Sequence, residues 1–211
     1  MARYVLYGFA ASTYVRTVRM ALAEKGVAYD HVPVDLFQGE NRTPEHMARH
    51  PFGKIPAFDV NGDTVYETPA ILEVIEGEHG QPPLFPADVM ARARMRQWMS
   101  VVDNYLYPAA IGRLVWQRLI NPLLGEAVDE QVVRDALPDV QRQLALFDRQ
   151  LAETPQLAGH AFSAADLYLA PIMAYLSQTP EADAILRDAP NLARWWAAIQ
   201  QRPSFTATAP G

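Results

Sequence analysis

The sequence predicts two folds in succession, an α/β domain with the element order βαβ-α-ββα and then an all-α helical domain. Before residue 79, short apolar runs bounded by glycine or proline alternate with stretches of helical spacing. Residues 79–88 contain three prolines and one glycine, which is typical of a linker. No strand pattern follows residue 88. We therefore expect domains at residues 1–78 and 89–211, joined by the linker at residues 79–88.

Composition narrows the classes of function. Half of the 211 residues are hydrophobic, so a sizeable core is expected. The formal net charge is −6 and no lysine or arginine run occurs, which argues against nucleic acid and anionic membrane as partners. The absence of cysteine excludes disulfides, cysteine nucleophiles and zinc–thiolate sites. Because neither a signal-peptide pattern nor a bilayer-spanning apolar run is present, we expect a soluble, cytoplasmic protein.

The first domain opens with a strand, a helix and a second strand. The apolar run at residues 3–7 ends at Gly8 and suits a buried strand. A loop at residues 9–13 leads into a helix whose apolar residues keep helical spacing until Gly26, a typical C-cap. Residues 29–34 alternate like a strand, and this order implies a parallel strand pair. One helical turn is expected at residues 44–49.

A hairpin follows in the first domain. Apolar runs at residues 55–58 and 64–66 flank Asn61 and Gly62, which tolerate positive φ and favour a tight turn. Pro56 stands at the head of the first run, where a missing N–H does least harm. A proline in this setting is a candidate for a cis peptide bond.

The helix after the hairpin offers a first candidate for ligand binding. We expect it to run from Thr68, at the N-cap, with Pro69 in the first helical position, to residue 78. Free N–H groups at a helix start attract a carboxylate, and the neighbouring Glu67 is suited to hold an ammonium group. Together they would grip the two ends of a free amino acid. The same residues also fit a plain hairpin and a well-capped helix.

Helical patterns fill the second domain, at residues 90–119, 129–153, 162–176 and 191–201. We expect a bend near Pro108 and an interruption or kink at Pro138, because proline lacks the N–H that a helix interior needs. Ser163 and Asp166 have the spacing of a capping box. We assign this pair to folding and stability rather than to catalysis.

Further candidates for chemistry lie where the first strand gives way to the first helix. Ser12 and Thr13 suit the N-cap of that helix. The same loop aims a hydroxyl and the helix N–H groups at one point, where an anion would be stabilised. The histidines show no metal-ligand or triad spacing, so we predict no metal site and expect surface positions for His31, His46, His50, His79 and His160.

Longer motifs occur in a characteristic order in both domains. In the first they are ASTYVRTVRMALAEKGV at residues 11–27, VPVDLFQGEN at 32–41, HPFGKIPAF at 50–58 and YETPAI at 66–71. In the second they are WMSVVDNYLYP at 98–108, NPLLG at 121–125, LAGHAFSAADLYLAP at 157–171 and RPSF at 202–205. In this order the chain resembles a glutathione S-transferase, most like the phi class and of the serine-dependent, bacterial type.

The resemblance implies a thioredoxin-like first domain that binds glutathione in a cleft. Ser12 would hydrogen-bond the glutathione sulfur. The backbone of Ile55, which precedes Pro56, would pair with the cysteinyl part of glutathione. Glu67 and Thr68 would hold its γ-glutamyl end.

At the glycyl end of glutathione the sequence departs from the phi pattern. Asn41 replaces the histidine that reaches the glycyl carboxylate, and Arg42 stands for a lysine. Lys54 replaces the usual glutamine two residues before the cis-proline. These three residues are still expected to line the glutathione site, with a weaker glycyl contact from Asn41.

The resemblance also implies an apolar electrophile site, lined by Ala11, Thr13, Leu36, Phe37 and Trp116. The implied activity is attack of a glutathione thiolate on small apolar electrophiles, by conjugation or by hydroperoxide reduction. Glutathione would be a co-substrate, with no cofactor. Arg16, one helical turn after Ser12, is expected to form a structural ion pair.

The resemblance further implies a homodimer in which Phe52 inserts into the partner. Two alternatives to an active transferase stay open: a binding protein with the same grip and little turnover, and a structural module with a vestigial cleft. Retention of Ser12, Pro56 and Glu67 disfavours the module. The lack of cysteine disfavours a glutathione-dependent thiol reductase.

Overall fold

The computed structural model describes residues 3–210, which divide into two compact units. The first comprises residues 3–84 together with 202–210, and the second is Phe85–Gln201. Sequence reasoning placed residues 202–211 in the helical domain, whereas the described part of this tail packs with the first unit.

The first unit is built on a four-stranded sheet with the strand order β2-β1-β3-β4. Its strands are β1 (Tyr4–Tyr7), β2 (Asp30–Val32), β3 (Ala57–Val60) and β4 (Asp63–Tyr66). β1 and β2 are parallel, as predicted, and the other two pairings are antiparallel. Asn61 and Gly62 have the positive φ values expected for the hairpin turn, 56° and 100°.

The helices of the N-terminal segment are α1 (Thr13–Lys25), α2 (Pro44–Arg49) and α3 (Thr68–Glu78), and Glu40–Arg42 forms one 3₁₀ turn. α1 ends at Gly26, whose φ of 64° confirms the predicted C-cap. The predicted N-cap of α3 is wrong by one residue. Thr68 already belongs to the helix, and Glu67 is the cap residue with a φ of 68°. A positive φ is uncommon outside glycine, so nothing in the sequence marks it.

The core of the first unit consists of fully buried apolar side chains from the sheet and from α1 and α3. They include Leu6, Phe58, Val18, Leu22, Ile71 and Leu72. Each such side chain contributes about 1.5–3 kcal/mol by leaving water. This packed core therefore fixes the positions of the sheet and of α1 and α3 relative to one another.

The C-terminal tail is fastened to α1. It contains the helix α11 (Pro203–Ala207). The guanidinium of Arg202 donates to both carboxylate oxygens of Glu24, at 2.6 and 2.9 Å. Buried Arg16 donates to the Phe205 carbonyl at 2.9 Å and lies 4.0 Å from the Phe205 ring centroid. Arg16 therefore joins α1 to the tail, a structural role like the one expected, made here through a carbonyl and a ring.

The second unit opens with a continuous helical stretch. α4 (Val89–Val101) runs through the wider, π-type turns Val102–Leu106 and Ala110–Ile120, which alternate with α5 (Tyr107–Ala109) and α6 (Asn121–Leu123). The wide turns flank Pro108. Proline has no N–H to donate, and its ring clashes with the carbonyl four residues earlier in a regular α-helix. The predicted single helix at residues 90–119 is therefore confirmed, with its irregularity around Pro108.

The remaining helices are α7 (Glu130–Glu153), α8 (Ala164–Leu176), α9 (Ala182–Arg187) and α10 (Pro190–Gln200). Pro138 lies inside α7 without interrupting it. α9 and α11 were not predicted. All strands of residues 3–210 precede residue 67, in agreement with the sequence pattern. None of the helices in the described range is both long enough and apolar enough to cross a bilayer.

The capping box at the start of α8 is present as predicted. Asp166 is fully buried. One carboxylate oxygen accepts from the Ser163 amide and hydroxyl, at 3.0 and 2.9 Å. The other accepts from the Leu157 amide at 3.1 Å and the Trp195 indole at 3.0 Å. Burial raises the pKa of Asp166, and these four donors oppose that rise.

We expect Asp166→Ala to lower the free energy of unfolding by about 3 kcal/mol, because interior N–H donors lose their acceptor. Urea unfolding followed by circular dichroism measures the change. The matched control is Asp183→Ala, which removes an exposed carboxylate from the first turn of α9 and should cost less than about 0.5 kcal/mol. A loss for Asp166→Ala no larger than the control's would contradict the structural role.

Candidate functional site

The register of the sheet gathers the predicted site residues of the first unit at one end of the strands. Tyr7, the last residue of β1, pairs with Val32 of β2 and with Ala57 of β3. Ala57 in turn pairs with Tyr66, the last residue of β4. The segments that follow β1, β2 and β4 and the segment that precedes β3 therefore leave the sheet at the same end. These segments carry Ser12, Leu36, Ile55 and Glu67.

Gly8 shows how closely these segments approach. A β-carbon at Gly8 would lie 2.4 Å from Cγ2 of Val15 and 3.4 Å from Cβ of Ile55. The first distance is a hard clash with the first turn of α1, so only glycine fits here. The end of β1, the start of α1 and the segment before β3 are thus in direct contact.

Ser12 is the N-cap of α1, with extended backbone angles. Its Oγ accepts a long hydrogen bond, 3.5 Å, from the Val15 amide. The hydroxyl proton has no acceptor among the described residues, and the side chain is half-buried. No acidic residue lies in the first turn of α1, so nothing there neutralises the positive end of the helix. Thr13, by contrast, is only 6% exposed.

The Ile55–Pro56 peptide bond is cis, as predicted. Ile55 is half-buried and Lys54 is exposed. Two side chains hold the segment just before Ile55 through its carbonyl groups. Nδ2 of Asn41 donates to the Gly53 carbonyl at 2.7 Å, and Nε2 of His46 donates to the Lys54 carbonyl at 2.8 Å.

These contacts bear on which side chains are available to bind the glycyl end of glutathione. One N–H of the Asn41 amide is already used within the protein. Arg42 is exposed in the same segment, as Lys54 is in the next. Arg42 and Lys54 are therefore exposed cations in these two segments, while Asn41 holds the backbone next to Lys54.

Glu67 presents its carboxylate at the surface. Its side chain is 59% exposed, and the neighbouring Thr68 is buried. The imidazole of His50 lies close by, with Nε2 3.9 Å from a carboxylate oxygen of Glu67. Burial lowers the pKa of His50, whereas Glu67 raises it to a smaller extent. The lowered pKa favours the neutral imidazole at pH 7.

The prediction that all five histidines lie at the surface is wrong for His46 and His50, each 2% exposed. Both belong to or flank α2, and their spacing of four residues places them on one helix face. This spacing indicates that the two histidines share one face, but it does not indicate that this face is buried. His31 is half-buried, and its Nε2 donates to the Gly8 carbonyl at 2.9 Å. No cluster of potential metal ligands occurs within residues 3–210.

Apolar side chains lie exposed next to this end of the sheet. Leu36 and Phe37 are both exposed in the segment after β2. The Phe37 ring meets Phe9 edge to face at 6.0 Å between centroids. Ala11, in the loop before Ser12, is half-buried. Trp116 lies in the second unit with 43% of its surface exposed, and its role at an electrophile site stays a prediction.

Comparisons with known proteins agree with this architecture. The glutathione S-transferase N-terminal domain family matches residues 6–83, and the C-terminal domain family matches residues 100–203. Glutathione S-transferase 3 of Zea mays is 36% identical over 211 residues, covering 99% of this chain and 94% of the relative. The crystal structure of glutathione transferase F7 from Populus trichocarpa is 32% identical with a TM-score of 0.88, and 97% of each chain is covered.

A third relative carries a bound product. Glutathione S-transferase I from maize, solved in complex with an atrazine glutathione conjugate, is 30% identical with a TM-score of 0.87. The match covers 98% of this chain and 96% of the maize chain. The chain therefore belongs to the glutathione S-transferase family and is most like its phi class.

Proposed function

We propose that this glutathione transferase activates the thiol of glutathione through the Ser12 hydroxyl at the N-terminus of α1. The observation that carries the proposal is the unused hydroxyl proton of a half-buried serine at a helix start without acidic residues. A thiolate placed there would receive a hydrogen bond and the favourable field of the helix. Thr13 is the weaker candidate because its side chain is buried.

The energies suffice for this role. A free thiol has a pKa of about 8.5, so only a few per cent is thiolate at pH 7. Lowering that pKa by two units requires about 2.7 kcal/mol of preference for the thiolate. A hydrogen bond to a charged group supplies about 1.5–3 kcal/mol, and a helix N-terminus about 0.3–1 kcal/mol.

The other end of glutathione would be held by the residues around β3 and β4. We propose that the Ile55 backbone pairs with the cysteinyl part and that Glu67 binds the γ-glutamyl ammonium group. The N–H groups at the start of α3, including that of Thr68, are suited to the adjacent carboxylate. Arg42 and Lys54 are suited to the glycyl carboxylate because both side chains are exposed cations at this end of the sheet.

The electrophile would approach the sulfur over the exposed apolar surface of Leu36 and Phe37, with Ala11 beside Ser12. The atrazine conjugate in the maize relative supports an aromatic electrophile and a conjugation reaction here. Glutathione enters as a co-substrate and loses its thiol proton to solvent. The sulfur then bonds to the electrophilic carbon while the leaving group on that carbon departs as an anion, so that the conjugate is the product. A cytoplasmic location is also a proposal, since a chain without cysteine fits a reducing compartment.

We also propose a homodimer anchored by Phe52. This side chain is 64% exposed in the loop between α2 and β3. It lies edge to face with Tyr66 and His50, at 6.5 and 6.3 Å between ring centroids. An exposed phenylalanine supported in this way suits insertion into a partner pocket, because aromatic anchors are enriched at interfaces.

We expect Ser12→Ala to lower kcat/KM for conjugation of glutathione with a chlorodinitrobenzene by about 100-fold, the scale of losing one charge-stabilising donor. The KM for glutathione should change little, because the grip lies elsewhere. Thr13→Val is the matched control, since it removes the neighbouring hydroxyl and keeps the side-chain shape. A loss in Thr13→Val without one in Ser12→Ala would assign the role to Thr13. An inactive wild-type protein that still binds glutathione would favour the binding protein.

Glu67→Gln should raise the KM for glutathione by about tenfold or more, since a hydrogen bond to a charged partner is lost. The KM for the electrophile should stay within about twofold, since Glu67 addresses only the γ-glutamyl end. Steady-state kinetics with each substrate varied in turn measures both. Glu45→Gln is the control, because Glu45 is an exposed carboxylate whose ion pair is with Arg49 in α2. Equal increases in both KM values would point to a folding defect instead.

Sedimentation at micromolar concentration should show wild-type particles of twice the chain mass of 23.5 kDa. Phe52→Ser should shift the population towards the monomer by removing the anchor. Leu146→Ser, which changes an exposed apolar residue of α7, should leave the dimer intact. A wild-type protein that sediments only as a monomer would overturn the assembly.

A further inference from the structure

The buried imidazole of His50 has an unusual position relative to Glu67. Nε2 faces the Glu67 carboxylate at 3.9 Å, too far for a hydrogen bond but close for a charge pair. Nδ1 is buried without a hydrogen-bond partner among the described residues. The unpartnered Nδ1 costs stability whether the imidazole is neutral or protonated. A protonated imidazole would gain a counter-ion in Glu67.

Among residues 3–210, Glu67 is the anionic group that acts on the charge of His50. His46 from α2 and Lys54 from the following loop both disfavour a positive charge on His50. From β4, the Tyr66 ring lies tilted by 43° against the imidazole at 4.9 Å between centroids, and the Phe52 ring meets it edge to face at 6.3 Å. His50 itself is only 2% exposed, so water screens the effect of a nearby charge on its imidazole less than at the surface.

We propose that His50 is a proton-controlled competitor for Glu67, so that protonation of its imidazole withdraws the Glu67 carboxylate from the ammonium group of the ligand. The inference rests on the proposed role of Glu67 in holding the γ-glutamyl end. Above the pKa of His50 the imidazole is neutral, and the carboxylate is available to the ligand. Below the His50 pKa, which burial keeps under its ordinary value of 6.5, the imidazolium forms an ion pair with Glu67.

Thermodynamic linkage makes the effect reciprocal. If protonation of His50 weakens ligand binding, then bound ligand must lower the pKa of His50 by the corresponding amount. The ammonium group would neutralise the carboxylate that favours the imidazolium. Both halves of this relation are measurable, and the second needs no variant of His50.

The test uses S-methylglutathione, which keeps the charged groups of glutathione but has no ionisable thiol. Calorimetric titration of the wild-type protein should show its affinity falling between pH 7.5 and pH 5.0 by about three- to fivefold, the scale of one partly exposed ion pair. In His50→Asn this fall should disappear. His160→Asn, which changes an exposed histidine of the second unit, should keep it.

Proton NMR of the wild-type protein supplies the second measurement. Saturation with S-methylglutathione should lower the pKa of His50 by about 0.5, the counterpart of a threefold affinity change. An unchanged His50 pKa, or the same pH dependence in His50→Asn as in the wild type, would overturn the inference while leaving the role of Glu67 intact. Failure of the wild type to bind S-methylglutathione at pH 7.5 would instead overturn the proposed function, and this inference with it.

Discussion

The first turn of a helix leaves N–H groups without intrahelical acceptors, and the positive end of α1 is the feature on which the site depends. Its first turn carries no acidic residue, and Ser12 caps it with only a long bond to the Val15 amide. The close approach of β1 to this turn requires glycine at position 8. The other end of α1 is fixed through Glu24 to Arg202 in the C-terminal tail. The helix α1, whose N-terminus is proposed to stabilise an anion, thus makes close contacts at both of its ends.

The division of labour between backbone and side chains follows from the sheet. Register brings the segments after β1 and β4 and before β3 to one end, so main-chain groups define the site before any side chain is considered. The side chains of Asn41 and His46 then fix the segment before β3 by donating hydrogen bonds to the carbonyls of Gly53 and Lys54. Side chains that reach outwards, Glu67 and Lys54, are left to supply charge. Asn41, which departs from the phi pattern expected from the sequence, makes a supporting contact to the Gly53 carbonyl.

Much of this could be predicted from the sequence because local rules and tertiary structure agree. The hairpin at Asn61, the C-cap at Gly26 and the capping box at Asp166 each follow from residues a few positions apart. The features that the sequence did not predict depend on the tertiary structure or on an unusual backbone conformation. The burial of His46 and His50 depends on what covers one face of α2, which helical spacing alone does not reveal. The contact between Glu24 and Arg202 joins residues 178 positions apart. The start of α3 was predicted one residue off because Glu67 has a positive φ, a conformation that a glutamate in the sequence does not indicate.

If glutathione binds at this helix end as proposed, ionisation of its thiol is the physical consequence, and it can be observed without an electrophile. Thiolate absorbance in the ultraviolet, titrated against pH in the complex of the wild-type protein with glutathione, reports it directly. We expect a bound-thiol pKa about two units below the free value of about 8.5. A bound thiol that ionises at the free value would contradict the claim that Ser12 and the N-terminus of α1 stabilise the thiolate.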